Sequence, residues 1–308
     1  MRYHYGKAAT KDEQVIVYGT KVVSDRPFTL TLPTDGMFRH TLHLKHDTPK
    51  ALKEALVNGV HVYVTHGRRV NFYSDRVIET PRKGQPFCYE VDRTLRFYWY
   101  HGDTTVYWEL LEEGTQQRLE FWFIHQFLPL YLTWHERFVF FHTGGVVCEG
   151  KSLFFVAPSM GGKSTMTQTF LKYGHRLITD DTLPTFMEEQ TPYYCPAVPY
   201  FRPYRAYETL GEKALNYSTS CGRVDMIYVL QSASAESRIA IDEVCGVEKF
   251  AILRKNGLIY SSSFMRIVHT AYLARFLNGV RVFTLRRPWD LARIDEVYEA
   301  VVRHAEGV

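Results

Sequence analysis

The fold of this chain is decided by one stretch, Ser152-Leu-Phe-Phe-Val-Ala-Pro-Ser-Met-Gly-Gly-Lys-Ser-Thr165. Its first five residues, Ser152 to Val156, form a short, mostly apolar run that is typical of a buried central strand. A loop containing Gly161 and Gly162 follows, and a helix-like segment then runs from Lys163 to Gly174, a residue type common just after a helix ends. The order strand, glycine loop, helix predicts a phosphate-binding loop.

The residue types in this loop suit phosphate chemistry. Glycines lack side chains, so backbone N–H groups can converge on phosphate oxygens. Lys163 can reach the β- and γ-phosphates, and the Ser164 hydroxyl is placed to ligate Mg²⁺. The helix N-terminus adds about half a positive charge to the same anion site. The sequence therefore predicts a bound nucleotide, held by Ser159, Met160, Gly161, Gly162, Lys163, Ser164 and Thr165.

The loop departs from the pattern GxxxxGK(S/T) at two positions. Ala157 stands where the first glycine belongs, and Met160 stands where many such loops have another glycine. The alternative interpretation is a glycine-rich turn in an ordinary α/β protein. The strand before the loop and the helix after it favour the phosphate-binding interpretation.

Two adjacent carboxylates follow the predicted helix. The segment His175-Arg-Leu-Ile-Thr179 predicts a second short strand, and Asp180 and Asp181 come directly after it. In a parallel sheet this end lies at the same edge as the loop, where ligands collect. One carboxylate can hold Mg²⁺ and the other can accept a proton from an attacking hydroxyl. Paired aspartates also cap helices or turns, but a position eighteen residues after Lys163 favours the catalytic interpretation.

An aromatic run, Phe138 to Phe141, ends at His142 upstream of the loop. The pattern predicts a β-hairpin whose first strand ends near this histidine. A histidine in this position is commonly structural, so the residues alone leave its role open.

Together, His142, the loop Ala157 to Thr165, Gly174-His-Arg-Leu177 and Asp180-Asp181 resemble the catalytic core of HPr kinase/phosphorylase and its related serine kinases. The resemblance implies an α/β P-loop kinase core, a mixed sheet flanked by helices. It also implies ATP and Mg²⁺ as cofactors. The roles implied are phosphate binding by Lys163, Mg²⁺ binding by Ser164 and Asp180, proton acceptance by Asp181, and an accessory catalytic role for His142.

The acceptor implied by the resemblance is a serine of a protein or peptide. One branch of these kinases modifies the C-terminal serine of lasso-peptide precursors, and another acts on free serine or other small hydroxyl compounds. The bifunctional enzymes carry a Mg²⁺-binding glutamate after the aspartate pair, whereas Glu208 is the only carboxylate between Tyr200 and Glu208. This departure favours a kinase over a phosphorylase. A nucleotide-gated regulatory protein without phosphotransfer is the competing interpretation.

Composition excludes several classes of protein. The chain has 308 residues, a net charge of +4 and no block of five or more like charges, which argues against nucleic acid as a partner. Its five cysteines form no CxxC motif, and its N-terminus lacks the apolar stretch of a signal peptide. We therefore expect a cytoplasmic protein with free thiols and no membrane partner.

Two domains are predicted. Residues 1–115 contain short runs rich in β-branched and aromatic residues, which indicate a mostly β N-terminal domain that positions a substrate or partner. The predicted strands include residues 15–18, 28–32, 60–64, 94–100 and 105–110. His40, His43 and His46 are interpreted as a polar strand or loop face rather than a metal site. Residues 116–308 form the predicted catalytic domain.

Two further segments of the catalytic domain carry predictions. Phe121 to Thr133 is the longest apolar window, but its thirteen residues are fewer than the ~20 that span a bilayer. It predicts a buried helix, with a homo-oligomer contact as an alternative. Near the C-terminus, Pro288 is expected to begin a helix. An arginine at position 286 or 287 can neutralise charge on a transferred phosphoryl group, but both are interpreted as surface residues rather than catalytic ones.

Overall fold

The computed structural model describes residues 12–56, 58–76, 80–201, 208–258 and 263–308. The chain forms two compact units. The C-terminal unit consists of Phe121–Val308 together with two short segments, Val17–Gly19 and Asp35–Met37, and the remaining residues up to Glu120 form the N-terminal unit.

One eight-stranded sheet dominates the N-terminal unit. Its strands are β1 (Glu13–Val17), β2 (Thr20–Ser24), β3 (His40–Lys45), β4 (Asn58–Thr65), β5 (Arg68–Ser74), β6 (Pro86–Val91), β7 (Leu95–Tyr100) and β8 (Thr105–Leu110), and a short helix α1 (Lys50–Glu54) follows β3. The spatial order is β1-β2-β3-β8-β7-β6-β5-β4. The predicted strands at 15–18, 60–64, 94–100 and 105–110 correspond to β1, β4, β7 and β8, and His40 and His43 lie on β3.

The predicted strand at residues 28–32 is wrong, because this segment is irregular. Its backbone N–H groups bond to carboxylates instead of a neighbouring strand. The N–H of Phe28 donates to Glu13 Oε2 at 2.6 Å, and the N–H groups of Thr29 and Leu30 donate to Glu120 at 2.6 and 3.1 Å. These charge-assisted bonds satisfy the donors that a sheet ladder would otherwise need.

The C-terminal unit is mixed α/β. Its elements, beginning with the helix that enters it, are α2 (Gln116–Trp122), a π-helix (Phe123–Phe127), α3 (Leu128–Trp134), β9 (Val139–His142), β10 (Gly144–Cys148), β11 (Lys151–Val156), α4 (Lys163–Lys172), β12 (Arg176–Thr179), β13 (Thr182–Glu188), β14 (Thr191–Tyr194), β15 (Tyr200–Phe201), β16 (Glu212–Lys213), β17 (Gly222–Arg223), β18 (Met226–Ala233), β19 (Ala240–Glu243), α5 (Gly246–Asn256), α6 (Ser263–Gly279), β20 (Arg281–Pro288), a 3₁₀ turn (Leu291–Arg293) and α7 (Ile294–Gly307).

A six-stranded mixed sheet organises this unit, in the order β12-β10-β11-β18-β20-β19. The strands β11, β18 and β20 are parallel neighbours, and β10 is antiparallel to both β11 and β12. Since β11 and β12 each oppose β10, they run in the same direction and end at the same edge. The loop after β11 and the aspartates after β12 therefore meet there.

Helices cover both faces of this sheet. Leu153 and Phe155 of β11 pack in one apolar cluster with residues of α4 and α7, whereas Phe154 and Val156 pack in a second cluster with residues of α5 and α6. The alternation follows from the two-residue period of a strand. A strand buried on both faces explains why this run is continuously apolar.

The strand that ends at His142 is not part of the hairpin that the sequence predicts. The hairpin is formed by β10 and β11, whereas β9 belongs to a four-stranded sheet and pairs with β13. The chain changes sheet at Thr143, whose N–H donates to the Asp181 carbonyl at 3.0 Å. Because His142 lies opposite Thr182 in the β9–β13 register, it is brought beside the aspartate pair.

The apolar window is helical and buried, as predicted. Helix α2 leads into the π-helix and α3, where Phe123, Phe127 and Leu128 are fully buried. These side chains are therefore packed within the chain. Within the described part of the chain, we find no helix with the length and apolar character needed to span a bilayer.

Two other expectations, that the cysteines are free thiols and that Pro288 begins a helix, are wrong. Cys195 and Cys221 form a disulfide, because the pairing of Tyr194 with Gly222 continues by one residue and places the two cysteines opposite each other. Only Cys88, Cys148 and Cys245 are free. Pro288 ends strand β20 and does not begin a helix.

Candidate functional site

A cavity of about 420 Å³ lies at the edge where β11 and β12 end. A volume in the range of about 300–1,000 Å³ is usual for cofactor sites. Its lining residues are His142, Met160, Gly161, Gly162, Lys163, Ser164, Thr165, Asp180, Asp181, Arg287, Trp289, Asp290 and Leu291. The structure thus brings the predicted site residues together, with one exception. Ser159 is exposed and is not one of the described residues that line the cavity.

Two features fix the loop between β11 and α4. Gly162 is the N-cap of α4 and has a left-handed backbone with φ of 86°, a conformation that favours glycine. The side chain of Lys163 folds back into the loop, where its Nζ donates to the Ala157 carbonyl at 3.1 Å. Lys163 is only 7% exposed, so its charge is held inside the cavity wall.

The two missing glycines have different consequences. Ala157 is not among the residues with positive φ, so its backbone needs no glycine. Met160 has a φ of 63°, a left-handed conformation that costs a residue with a side chain about 1–2 kcal/mol. Its side chain is 83% exposed, so no burial of the side chain offsets that cost.

The aspartate pair follows β12 directly. Asp180 is 8% exposed, and the partly buried Asp181 is held by several bonds. The Asp181 N–H lies 3.4 Å from Thr179 Oγ1, and Thr182 Oγ1 donates to Asp181 Oδ2 at 3.0 Å. These contacts orient the carboxylate toward the cavity that it lines.

Two histidines flank Asp181. His142 Nδ1 lies 3.3 Å from Asp181 Oδ1, and His125 Nδ1 lies 3.3 Å from Asp181 Oδ2. His125 is on the π-helix, an element found often at functional sites, and its side chain is 9% exposed. Sequence reasoning missed His125, although an ionisable residue within an apolar run was the available signal.

Arg287 was also missed. Interpreted from sequence as a surface residue, it is 4% exposed and lines the cavity. Its Nη2 donates to the Gly161 carbonyl at 3.0 Å, and its guanidinium lies 5.0 Å from the Trp289 ring centroid. Burial lowers the pKa of the Arg287 guanidinium from its usual value. The exposed neighbour Arg286 is on the opposite face of β20.

The cavity residues fit Mg²⁺ and a nucleotide. Ser164, Asp180 and Asp181 supply the oxygen donors that Mg²⁺ prefers, and all three line the same cavity. Glu208 is not among the described lining residues, and its Oε1 accepts a hydrogen bond from Trp122 Nε1 at 2.8 Å.

Comparison with known proteins adds little to this geometry. No family model and no curated protein matches the chain. Among solved structures, it is similar to the HPr(Ser) kinase/phosphatase from Coxiella burnetii, with a TM-score of 0.33 and 13% identity over 54% of this chain and 90% of that one. A TM-score at this level supports no statement about activity.

Proposed function

We propose that this protein is an ATP-dependent kinase that transfers a phosphoryl group to a hydroxyl, with a serine of a protein or peptide as acceptor. One observation carries the proposal. A lysine-bearing loop at a helix N-terminus and a carboxylate pair flanked by histidines line a single cavity. The loop suits a phosphate chain, and the carboxylates suit metal binding and proton removal.

The loop residues act by binding and positioning. The amides around Gly161 and Gly162, the Lys163 ammonium and the N-terminus of α4 hold the phosphate chain. Ser164 and Asp180 hold Mg²⁺, which when bound neutralises charge on the phosphates. Since phosphoryl transfer depends mainly on positioning and charge stabilisation, these groups supply most of the rate enhancement.

Asp181 acts on the acceptor. Its carboxylate takes the proton of the hydroxyl while the hydroxyl oxygen forms a bond to the γ-phosphorus. The bond from that phosphorus to the β–γ bridging oxygen breaks, and ADP leaves. His142 and His125 contact the two carboxylate oxygens of Asp181 and hold them in place, so both histidines are positioning residues.

A second, smaller cavity shares the two carboxylates and supports binding of the acceptor hydroxyl beside them. It measures about 30 Å³ and is lined by Asp180 and Asp181 together with apolar and aromatic residues that include Tyr18, Val198 and Tyr200. A space of this size admits a group as large as a water molecule or the hydroxymethyl of serine.

Transfer from γ-labelled ATP tests the proposal. The acceptor panel consists of peptides with a C-terminal serine, including lasso-peptide precursors, an HPr-like protein and free serine. Label on an acceptor serine is the expected result, and the labelled member identifies the acceptor class. Tight ATP binding without transfer to any acceptor would support a nucleotide-gated regulator instead.

A further inference from the structure

Among the residues that the structure describes, no carboxylate compensates the charge of Arg287. Burying a guanidinium is unfavourable unless an anion pairs with it. Among the described residues, Arg287 forms no ion pair with a carboxylate, its Nε has no hydrogen-bond partner, and its one hydrogen bond goes to the neutral carbonyl of Gly161. Burial accordingly lowers the pKa of this guanidinium.

Nearby carboxylates do not fill this role. Asp180, Asp181 and Asp290 line the same cavity, yet Arg287 pairs with none of them. Asp290 Oδ1 instead accepts the N–H of Ala292 at 2.9 Å and caps the 3₁₀ turn. The positive charge of Arg287 therefore remains available to a ligand in the cavity.

The guanidinium is also held rigidly against the phosphate loop. A Cβ added to Gly162 would lie 2.1 Å from Arg287 Nη2, so the arginine closely approaches the loop backbone there. Trp289 lies against the guanidinium at 5.0 Å. A cation fixed in advance beside an anion site needs no rearrangement when the anion binds.

We propose that Arg287 binds the phosphate oxygens of the ligand in this cavity and neutralises their charge during transfer. The ligand thereby supplies the counter-charge that the described residues do not provide, and the planar guanidinium suits two parallel bonds to phosphate. The catalytic part of this inference rests on the proposed function, whereas phosphate binding by Arg287 does not.

Arg287→Met and Arg286→Met form a matched pair for the test, because the two side chains are adjacent on β20 and only Arg287 is buried. Calorimetry measures the affinity for inorganic tripolyphosphate and for ATP with Mg²⁺. We expect Arg287→Met to weaken both by about 10- to 100-fold, and Arg286→Met to stay within about twofold of the wild type.

Thermal unfolding without ligand separates ligand binding from a structural role. Removing an uncompensated buried charge should leave the melting midpoint of Arg287→Met unchanged or raise it. Wild-type affinity of Arg287→Met for tripolyphosphate would overturn the inference. A weakened affinity together with a clearly lowered melting midpoint would also overturn it, because the loss of binding would then come from a damaged structure. If Arg287→Met does not fold, Arg287→Lys decides by the same two readouts, because it keeps the charge but loses the paired bonds.

The same experiment distinguishes this inference from the proposed function. If no acceptor is ever labelled but Arg287→Met still loses tripolyphosphate binding, the kinase assignment fails while the role of Arg287 in phosphate binding stands. If transfer occurs and Arg287→Met binds and transfers like the wild type, the kinase assignment stands and the inference about Arg287 fails.

Discussion

Two arginines, the half-buried Arg96 in the N-terminal unit and the buried Arg287 in the C-terminal unit, carry their positive charge in different surroundings. Arg96 in the N-terminal sheet bonds to Glu90 and Glu109. Burial lowers the pKa of Arg96, but the hydrogen bond and charge of Glu90 outweigh that effect and raise it overall. Arg287 is buried and pairs with no carboxylate among the described residues, and burial lowers its pKa. The first charge is neutralised within the fold, and the second remains available at the cavity.

The largest effect is expected from removing Lys163, which is buried and lines the same cavity as Arg287. We expect Lys163→Ala to reduce phosphoryl transfer by at least about 100-fold, because the lysine stabilises charge on the phosphates. Lys172→Ala, an exposed position on the same helix, is the control and should transfer normally. Steady-state kinetics measure both variants, and near-normal transfer by Lys163→Ala would contradict this account of the loop.

Disrupting the ion pair of Arg96 and Glu90 in the N-terminal unit should instead lower the stability of the fold. Glu90 is 6% exposed and accepts bonds from Asn71, Tyr73 and Arg96. We expect Glu90→Gln to lower the free energy of unfolding by about 1–3 kcal/mol, because Arg96 loses its main counter-charge. Urea denaturation measures this, with the exposed Glu112→Gln as control. Equal stability of the two variants would show that the pairing of Arg96 contributes nothing.

His269 is a buried basic residue that, unlike the two arginines, can release its proton. Its Nε2 has no hydrogen-bond partner among the described residues, and burial lowers the pKa of His269 from 6.5 to about 4. Above pH 6.5 the folded and unfolded states are both neutral, whereas below it the unfolded state takes up the proton first. Stability is therefore lost as the pH falls from 6.5 toward 4.

Replacing this ring tests that assignment. We expect His269→Phe to lose less stability between pH 8 and pH 5 than the wild type does, since phenylalanine suits the apolar contacts with Phe141 and cannot bind a proton. Urea denaturation at both pH values gives the comparison. An unchanged pH dependence would mean that other groups cause the loss of stability at low pH.

The smallest effect is expected at the loop itself. Met160→Gly removes the left-handed strain but adds the conformational entropy of glycine to the unfolded chain, so we expect a gain of at most about 1 kcal/mol in unfolding free energy. Met160→Ala is the control, because alanine keeps the strain. Lower stability of the glycine variant would show that the Met160 side chain contributes contacts of its own.

The parts of the site that lie next to each other in sequence were predictable. The loop, helix α4 and the aspartates after β12 are local patterns, since each depends on apolar periodicity and glycine position within about thirty residues. His142 entered the predicted site only through the family resemblance, because its approach to Asp181 depends on the change of sheet at Thr143, which has no sequence signature. His125 was missed because its approach depends on a π-helix in the apolar window, which has no sequence signature either.

Arg287 could not be assigned from sequence for a related reason. Arg286 and Arg287 are chemically identical neighbours, and only the tertiary placement of β20 beside the loop decides which of them is buried. The disulfide was hidden in the same way, since the register of β14 and β17 unites cysteines that are far apart in the chain.

Measuring ATP binding and phosphoryl transfer side by side for Asp181→Asn shows whether the cavity binds ATP and whether Asp181 removes the acceptor proton. The amide keeps the shape of the carboxylate but is not a base. We predict an ATP affinity within about threefold of the wild type and transfer reduced by about 100-fold or more. Wild-type-like turnover by this variant would contradict the account.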